Sequence, residues 1–283
     1  MNFLVQTSCV IVLLALLEIP FSTADCQSKN YSIYSYKILN RYSHDPLAFT
    51  EGLVYAGNDT LYESTGLYGE SSVRKVQLTT GKILEMRSLN STYFGEGLAI
   101  WEQSLVQLTW KVKTGFIYNK RNFNQLGTFD NPMKEGWGLT TDGDVLYGSD
   151  GSSTIYAIDP FSFKVRRSFQ IKDQGKEIRQ LNELEYIHGQ LWANVWMTDC
   201  IVRISPKNGE VLGWILLQKL RRDLLARNQF IDVLNGIAWD PEKNRVFVTG
   251  KNWPELYQIE VYPVGGNRTL HKEALKLCIA SDP

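Results

Sequence analysis

The sequence predicts an all-β protein: a five-bladed β-propeller with an accessory helix inserted between the fourth and fifth blades. Three observations lead there. Aromatic residues make up 12% of the 283 positions, with 8 Trp and 14 Tyr, and 22 Gly punctuate them. Such a composition favours strands joined by tight turns. A short cluster ending in an aliphatic residue recurs five times, at spacings of 45, 41, 45 and 53 residues. After each cluster come a turn and further short apolar runs, so each unit has room for four strands.

The clusters are Glu51-Gly52-Leu53, Glu96-Gly97-Leu98, Trp137-Gly138-Leu139, Asn182-Glu183-Leu184 and Asn235-Gly236-Ile237. The turns that follow contain Asn58-Asp59, Glu102-Gln103, Asp142-Gly143, His188-Gly189 and Glu242-Lys243. Second runs start at Leu61, Leu105, Leu146, Leu191 and Val246. Third runs are Val73–Val76, Phe116–Tyr118, Ile155–Ile158, Ile201–Ile204 and Leu256–Ile259. Fourth runs are Ile83–Met86, Leu126–Phe129, Val165–Phe169 and Val211–Ile215. The fifth unit has no obvious fourth run. Residues Tyr34–Leu39, ahead of the first unit, are strand-like and are expected to supply it. The longest interval holds Leu217–Arg227, whose apolar spacing and good helix formers predict the accessory helix, its basic face solvated.

Residues 1–24 read as a signal peptide: a short apolar run, Val10–Leu17, precedes small residues Ser22 and Ala24. Residues 25–283 then form a single propeller domain, expected to be secreted, monomeric and free of membrane spans. In an oxidising compartment the simplest disulfide joins Cys26 to Cys278, tying the chain ends and closing the ring. Cys200 is read as a buried free thiol, with pairing to it as the alternative. Sequons at Asn30, Asn58, Asn90 and Asn267 suit glycosylated surface loops. Thirty basic and thirty acidic residues cancel, which argues against a broad nucleic-acid surface.

The repeat also singles out positions that do not converge. Two residues before the aliphatic anchors stand Glu51, Glu96, Trp137, Asn182 and Asn235. Five residues after the start of the second runs stand Gly66, Trp110, Gly151, Trp196 and Lys251. A purely structural column should settle on one residue type. These hold carboxylates, amides, indoles and an ammonium, as an aromatic pocket with a few polar tips requires. Each Trp taken alone is equally well a packing residue of the sheet, and Lys251 alone a solvated lysine. The three histidines lie far apart with no metal-ligand spacing, and no nucleophile elbow, Rossmann fingerprint or phosphate loop occurs. No cofactor is expected for catalysis, and a structural ion in the channel is left open.

Several stretches resemble the plant and bacterial type of glutaminyl-peptide cyclotransferase, a five-bladed propeller family. They are HDPLAFTEGLVYAGNDTLYESTGLYG from His44, YFGEGL from Tyr93, GWGL from Gly136, LNELEYIHGQLWANVWMTD from Leu181, LNGIAWD from Leu234 and FVTGKNWP from Phe247. The resemblance implies cyclisation of N-terminal glutamine in peptides to pyroglutamate, with release of ammonia. It places the family's site residues on Phe49, Phe94, Glu96, Trp110, Trp137, Asn182, Trp196 and Lys251. The family usually has Gln where Glu51 stands. On this reading Glu96 is general base then acid, Lys251 and Asn182 steady the developing oxyanion, and the aromatic residues with Glu51 hold the substrate. The competing reading is a catalytically silent propeller that binds a peptide or other ligand in the same pocket.

Overall fold

Short β-rich runs broken by Gly, Asn and Asp at positive φ (Asn58, Asp59, Gly143, Gly189 and Asn244 among them) can only turn back on themselves. In this computed structural model, which describes residues 32–227 and 230–279, they do so throughout, giving an all-β molecule with two helices. Strand β1 (Ile33–Ser43) comes first. Then β2 (Thr50–Gly57), β3 (Thr60–Thr65), β4 (Ser72–Gln77) and β5 (Ile83–Ser88) form one four-stranded antiparallel sheet in chain order. A second comprises β6 (Gly95–Trp101), β7 (Ser104–Thr109), β8 (Thr114–Asn119) and β9 (Gln125–Asp130). A third comprises β10 (Leu139–Thr141), β11 (Leu146–Ser149), β12 (Thr154–Ile158) and β13 (Val165–Gln170).

A small hairpin of β14 (Lys172–Asp173) and β15 (Lys176–Glu177), not expected from the sequence, leads to the fourth unit. That unit is β16 (Leu181–Ile187), β17 (Gln190–Val195), β18 (Cys200–Ile204) and β19 (Val211–Leu216). Helix α1 (Gln218–Leu225) follows in the chain, then β20 (Leu234–Asp240), β21 (Arg245–Gly250), β22 (Glu255–Gly265) and helix α2 (Arg268–Cys278).

Strand β1 completes the fifth unit as expected, pairing antiparallel with β22 from Ile33↔Gly265 to Ser43↔Glu255. It also runs parallel to β19 at Ile33 and Tyr34, so units four and five merge into one eight-stranded sheet. One edge of β1 is paired with β22 along its length, and the other meets β19 only at its first two residues.

The core is distributed between units. One apolar cluster joins Tyr62 and Val73 to Leu98 and Phe116; another joins Val106 and Leu108 to Leu139 and Ile158. Further clusters join Tyr147 and Ile155 to Leu184 and Val202, and Ile201 and Ile215 to Ile237 and Val248. The last joins Ala238 and Phe247 back to Leu53 and Leu61. The first strands follow the same cycle: β2 packs on β6 and on β20, β6 on β10, β10 on β16 and β16 on β20. Glycine makes this approach feasible: a Cβ on Gly138 would lie 2.0 Å from Asn182 O, and one on Gly97 2.5 Å from Leu139 N.

Helix α1 lies within the predicted span and buries Leu220 and Leu224, one turn apart, against the Ile201–Ile215 cluster. Its basic side is only partly solvated, because Arg221 donates to Asp232 O at 3.1 Å. Among the described residues no helix is long and apolar enough to cross a membrane.

The expected Cys26–Cys278 bridge is corrected. Cys278 is bonded to Cys200, with the Cα atoms 5.4 Å apart. The reason is α2, which the sequence reading did not predict. Asn267 caps it by accepting from Leu270 N at 2.9 Å, and the helix folds back on β18, β19 and β1. His271, Ala274 and Cys278 face inward on it, which delivers the thiol to the start of β18. Cys26, the signal segment and Asn30 lie outside the described residues.

Candidate active site

The polar column owes its direction to a shared irregularity. The β2–β3, β6–β7, β16–β17 and β20–β21 ladders each shift register at the repeated cluster, between Thr50 and Gly52, Gly95 and Leu98, Leu181 and Leu184, and Leu234 and Ile237. Such bulges release side chains from simple alternation. The residues released include Glu51, Glu96, Asn182 and Asn235. The first three meet in a cavity of about 440 Å³.

Its lining comprises Phe49, Glu51, Phe94, Glu96, Trp110, Trp137, Asn182, Trp196, Met197, Asp232 and Lys251. Every catalytic and substrate-contact residue expected from the sequence is therefore in one place. The other members of the two columns serve it indirectly. Asn235 lies under the site and donates to Glu51 Oε2 at 3.1 Å. A Cβ on Gly66 would fall 2.2 Å from the Phe94 ring, and one on Gly151 2.7 Å from the Trp137 ring. These glycines leave room for the aromatic walls.

The walls are two edge-to-face runs. Phe49 meets Phe94 with centroids 6.0 Å apart, and Phe94 meets Trp110 at 5.4 Å. In the second run Trp137 meets Trp196 at 5.6 Å. Such geometry fixes ring orientation beyond mere burial.

The floor is charged and nearly dry: Glu51 is 1% exposed, Glu96 5% and Lys251 6%. Lys251 Nζ lies 2.7 Å from Glu51 Oε1 and 4.7 Å from the centroid of the Phe49 ring. Burial pushes the Glu51 carboxyl up to about 7, although the Lys251 charge pulls it down. Burial, then the neighbouring Glu51 charge, push Glu96 well above the usual carboxylate range; Lys251 opposes them and Glu135 adds to them. Asn182 is 2% exposed, and its Oδ1 has no protein partner. A pair of buried carboxyls facing one ammonium, both raised above the usual carboxylate range, can take up and return a proton.

Sequence reasoning missed Asp232, Met197 and Glu135. Asp232 and Met197 sit in loops outside the repeat columns. Glu135, half-buried, accepts the indole N–H of Trp110 at 2.9 Å and of Trp137 at 3.1 Å. Glu183 was overlooked because it replaces the glycine of the other clusters. It accepts from Leu53 N at 3.3 Å and Ile237 N at 2.8 Å, pinning β16 to β2 and β20.

Beside the floor, His44 donates from Nδ1 to Trp253 O at 2.6 Å and from Nε2 to Glu63 Oε1 at 2.9 Å. Both partners are acceptors, so the ring is an imidazolium. Thr50 and Arg74 also donate to Glu63, at 2.7 and 2.9 Å. This network joins the residue before Glu51 to the loop after Lys251. Burial pulls the His44 pKa down, but the Glu63 charge and both hydrogen bonds outweigh it and hold it above its ordinary value. A raised histidine stabilises fully below its unfolded pKa of about 6.5 and loses that contribution as pH rises through the folded value. His44→Gln is therefore expected to cost about 2 kcal/mol at pH 6 and progressively less at alkaline pH. Urea unfolding at a series of pH values checks this; a cost independent of pH would contradict it.

A dry acid–base floor under aromatic walls has the chemistry to hold an uncharged or amine-bearing organic molecule and exchange protons with it. The comparisons with known proteins narrow this. The family described as glutamine cyclotransferase matches residues 10–261. A glutaminyl-peptide cyclotransferase of Arabidopsis thaliana is 55% identical over 233 residues, covering 82% of this chain and 73% of that protein. The crystal structure of Myxococcus xanthus glutaminyl cyclase superposes with a TM-score of 0.77 at 32% identity, covering 83% of this chain and 99% of that one. The chain belongs to the glutamine cyclotransferase family.

Proposed function

We propose that the chain is a glutaminyl-peptide cyclotransferase, built as a five-bladed propeller whose axial cavity takes the N-terminal glutamine of peptides or proteins. One observation carries the assignment to this site: Glu96 lies buried beside a second carboxylate and an ammonium at the base of an aromatic cavity. In the reaction the α-amine nitrogen bonds to the side-chain carbonyl carbon, and the bond from that carbon to the amide nitrogen breaks. One proton leaves the amine and one reaches the departing ammonia. Glu96 beside both nitrogens can make both transfers. Lys251 and the amide of Asn182 steady the charge developing on the carbonyl oxygen. The unfilled Asn182 Oδ1 gives the substrate's N–H groups an acceptor. The aromatic walls fold the glutamine into a ring-closing shape and exclude the water that would hydrolyse it to glutamate.

No metal is assigned to these steps. Release of ammonia from a Gln-initiated dipeptide, with a chelator present, tests activity and metal independence together. Binding without ammonia release would instead indicate a silent propeller.

Glu51 stands where the family usually has glutamine. Glu51→Gln keeps an acceptor for Lys251 and removes a like charge from beside Glu96. Activity at pH 7 is expected to stay within about threefold or rise, and the acidic limb of kcat/KM to move down by about one unit. A large loss would give this carboxylate a role of its own.

We also propose secretion after loss of residues 1–24 and glycosylation at the exposed Asn58, Asn90 and Asn267. No nucleic-acid or membrane partner is assigned, and the enzyme is taken to act as a monomer.

A further inference from the structure

The two aromatic runs come from different units, and no ring contact joins Trp110 to Trp137. What joins them is polar. Oε2 of Glu135 accepts Trp110 Nε1–H at 2.9 Å and Trp137 Nε1–H at 3.1 Å. One oxygen thus fills both its lone-pair directions with indole donors. The local backbone makes the reach feasible. A Cβ on Gly136 would lie 2.6 Å from Thr109 O, so the 135–137 segment lies directly on the end of β7, next to Trp110. Buried indole N–H groups seek a partner, and a charged acceptor holds them more firmly than a neutral one.

We propose that Glu135 is a positioning residue for the reaction: it locks the two halves of the aromatic wall into one substrate-shaped cavity. This rests on the cyclotransferase reading of the same site. Glu135 also contributes charge. The groups acting on Glu96 are Glu51 from β2, Lys251 from the loop after β21, and Glu135 from the loop before β10. Lys111 stands over the Trp110 ring at 3.8 Å and is the cation beside this wall. Removing the Glu135 charge removes part of the like-charge repulsion that raises the Glu96 pKa, whatever happens to the indoles.

The roles separate in two variants. Glu135→Gln retains an amide oxygen that can accept both N–H groups but carries no charge. Glu135→Ala loses both functions. The acidic limb of kcat/KM should move to lower pH in both variants. KM for a Gln-initiated peptide should stay within about threefold in Glu135→Gln and rise about tenfold in Glu135→Ala. Near-UV circular dichroism should keep the wild-type indole bands in Glu135→Gln and show them altered in Glu135→Ala, by the share that Trp110 and Trp137 contribute. A tenfold rise of KM in Glu135→Gln, or an unchanged KM and unchanged bands in folded Glu135→Ala, overturns the proposal. The dichroism does not depend on turnover. An inactive wild type would therefore sink the functional reading alone and still leave the indole lock to be decided by the bands.

Discussion

Glu96→Gln is expected to lower kcat for a Gln-initiated peptide by about 10²–10⁴-fold, the usual worth of a positioned acid–base group. The fold should not suffer. Glu96 is 5% exposed, and burial and Glu51 already push it toward its neutral form. An amide of the same shape replaces a carboxyl whose charged form burial and the Glu51 charge disfavour, and one like-charge repulsion disappears. The variant should melt at or slightly above the wild-type temperature, with KM little changed. Ammonia release and thermal unfolding on the same preparation check both halves. Wild-type turnover in this variant would remove Glu96 from the mechanism; a large drop in melting temperature would mean that its carboxylate carries a structural ion pair instead.

The largest stability effect is expected at the cysteines. The Cys200–Cys278 bridge closes a loop of 78 residues. Loop entropy of that length corresponds to roughly 4 kcal/mol, or about 10 °C in melting temperature for a domain of this size. Cys278→Ser should show this loss, and reduction of the wild type should reproduce it. The loss should come with release of α2, since His271, Ala274 and Cys278 are its buried residues. Non-reducing peptide mapping should recover a Cys200–Cys278 linked pair; a Cys26–Cys278 pair would contradict the arrangement.

Much of the site was legible because the chain repeats. Equivalent positions in a repeat share a backbone environment, so a column that departs from uniform packing chemistry marks the side chains that do something else. Glu51, Glu96, Trp137 and Asn182 in one column, and Trp110, Trp196 and Lys251 in the other, all line the cavity. The logic stopped at the two columns. Glu135 stands two residues before Trp137, at the offset that Phe49 and Phe94 have from Glu51 and Glu96; Met197 directly follows Trp196, and Asp232 stands three before Asn235. It failed at Glu183 for another reason: one departure from glycine reads as noise until its bonds to Leu53 N and Ile237 N are seen.

The cysteines mark the same boundary. Sequence alone determined that the strands are short, that they come in repeated units, that β1 is left over to complete the last one, and which side chains break the repeat. These are local properties, set by residue periodicity, turn chemistry and column composition. Only the tertiary structure decided that β1 also bridges to β19, that α2 returns to bring Cys278 to Cys200 rather than Cys26, and that one Glu135 oxygen serves two indoles. Each of these joins residues distant in sequence or in separate units. Their pairing depends on how the chain closes in space, which no local pattern encodes.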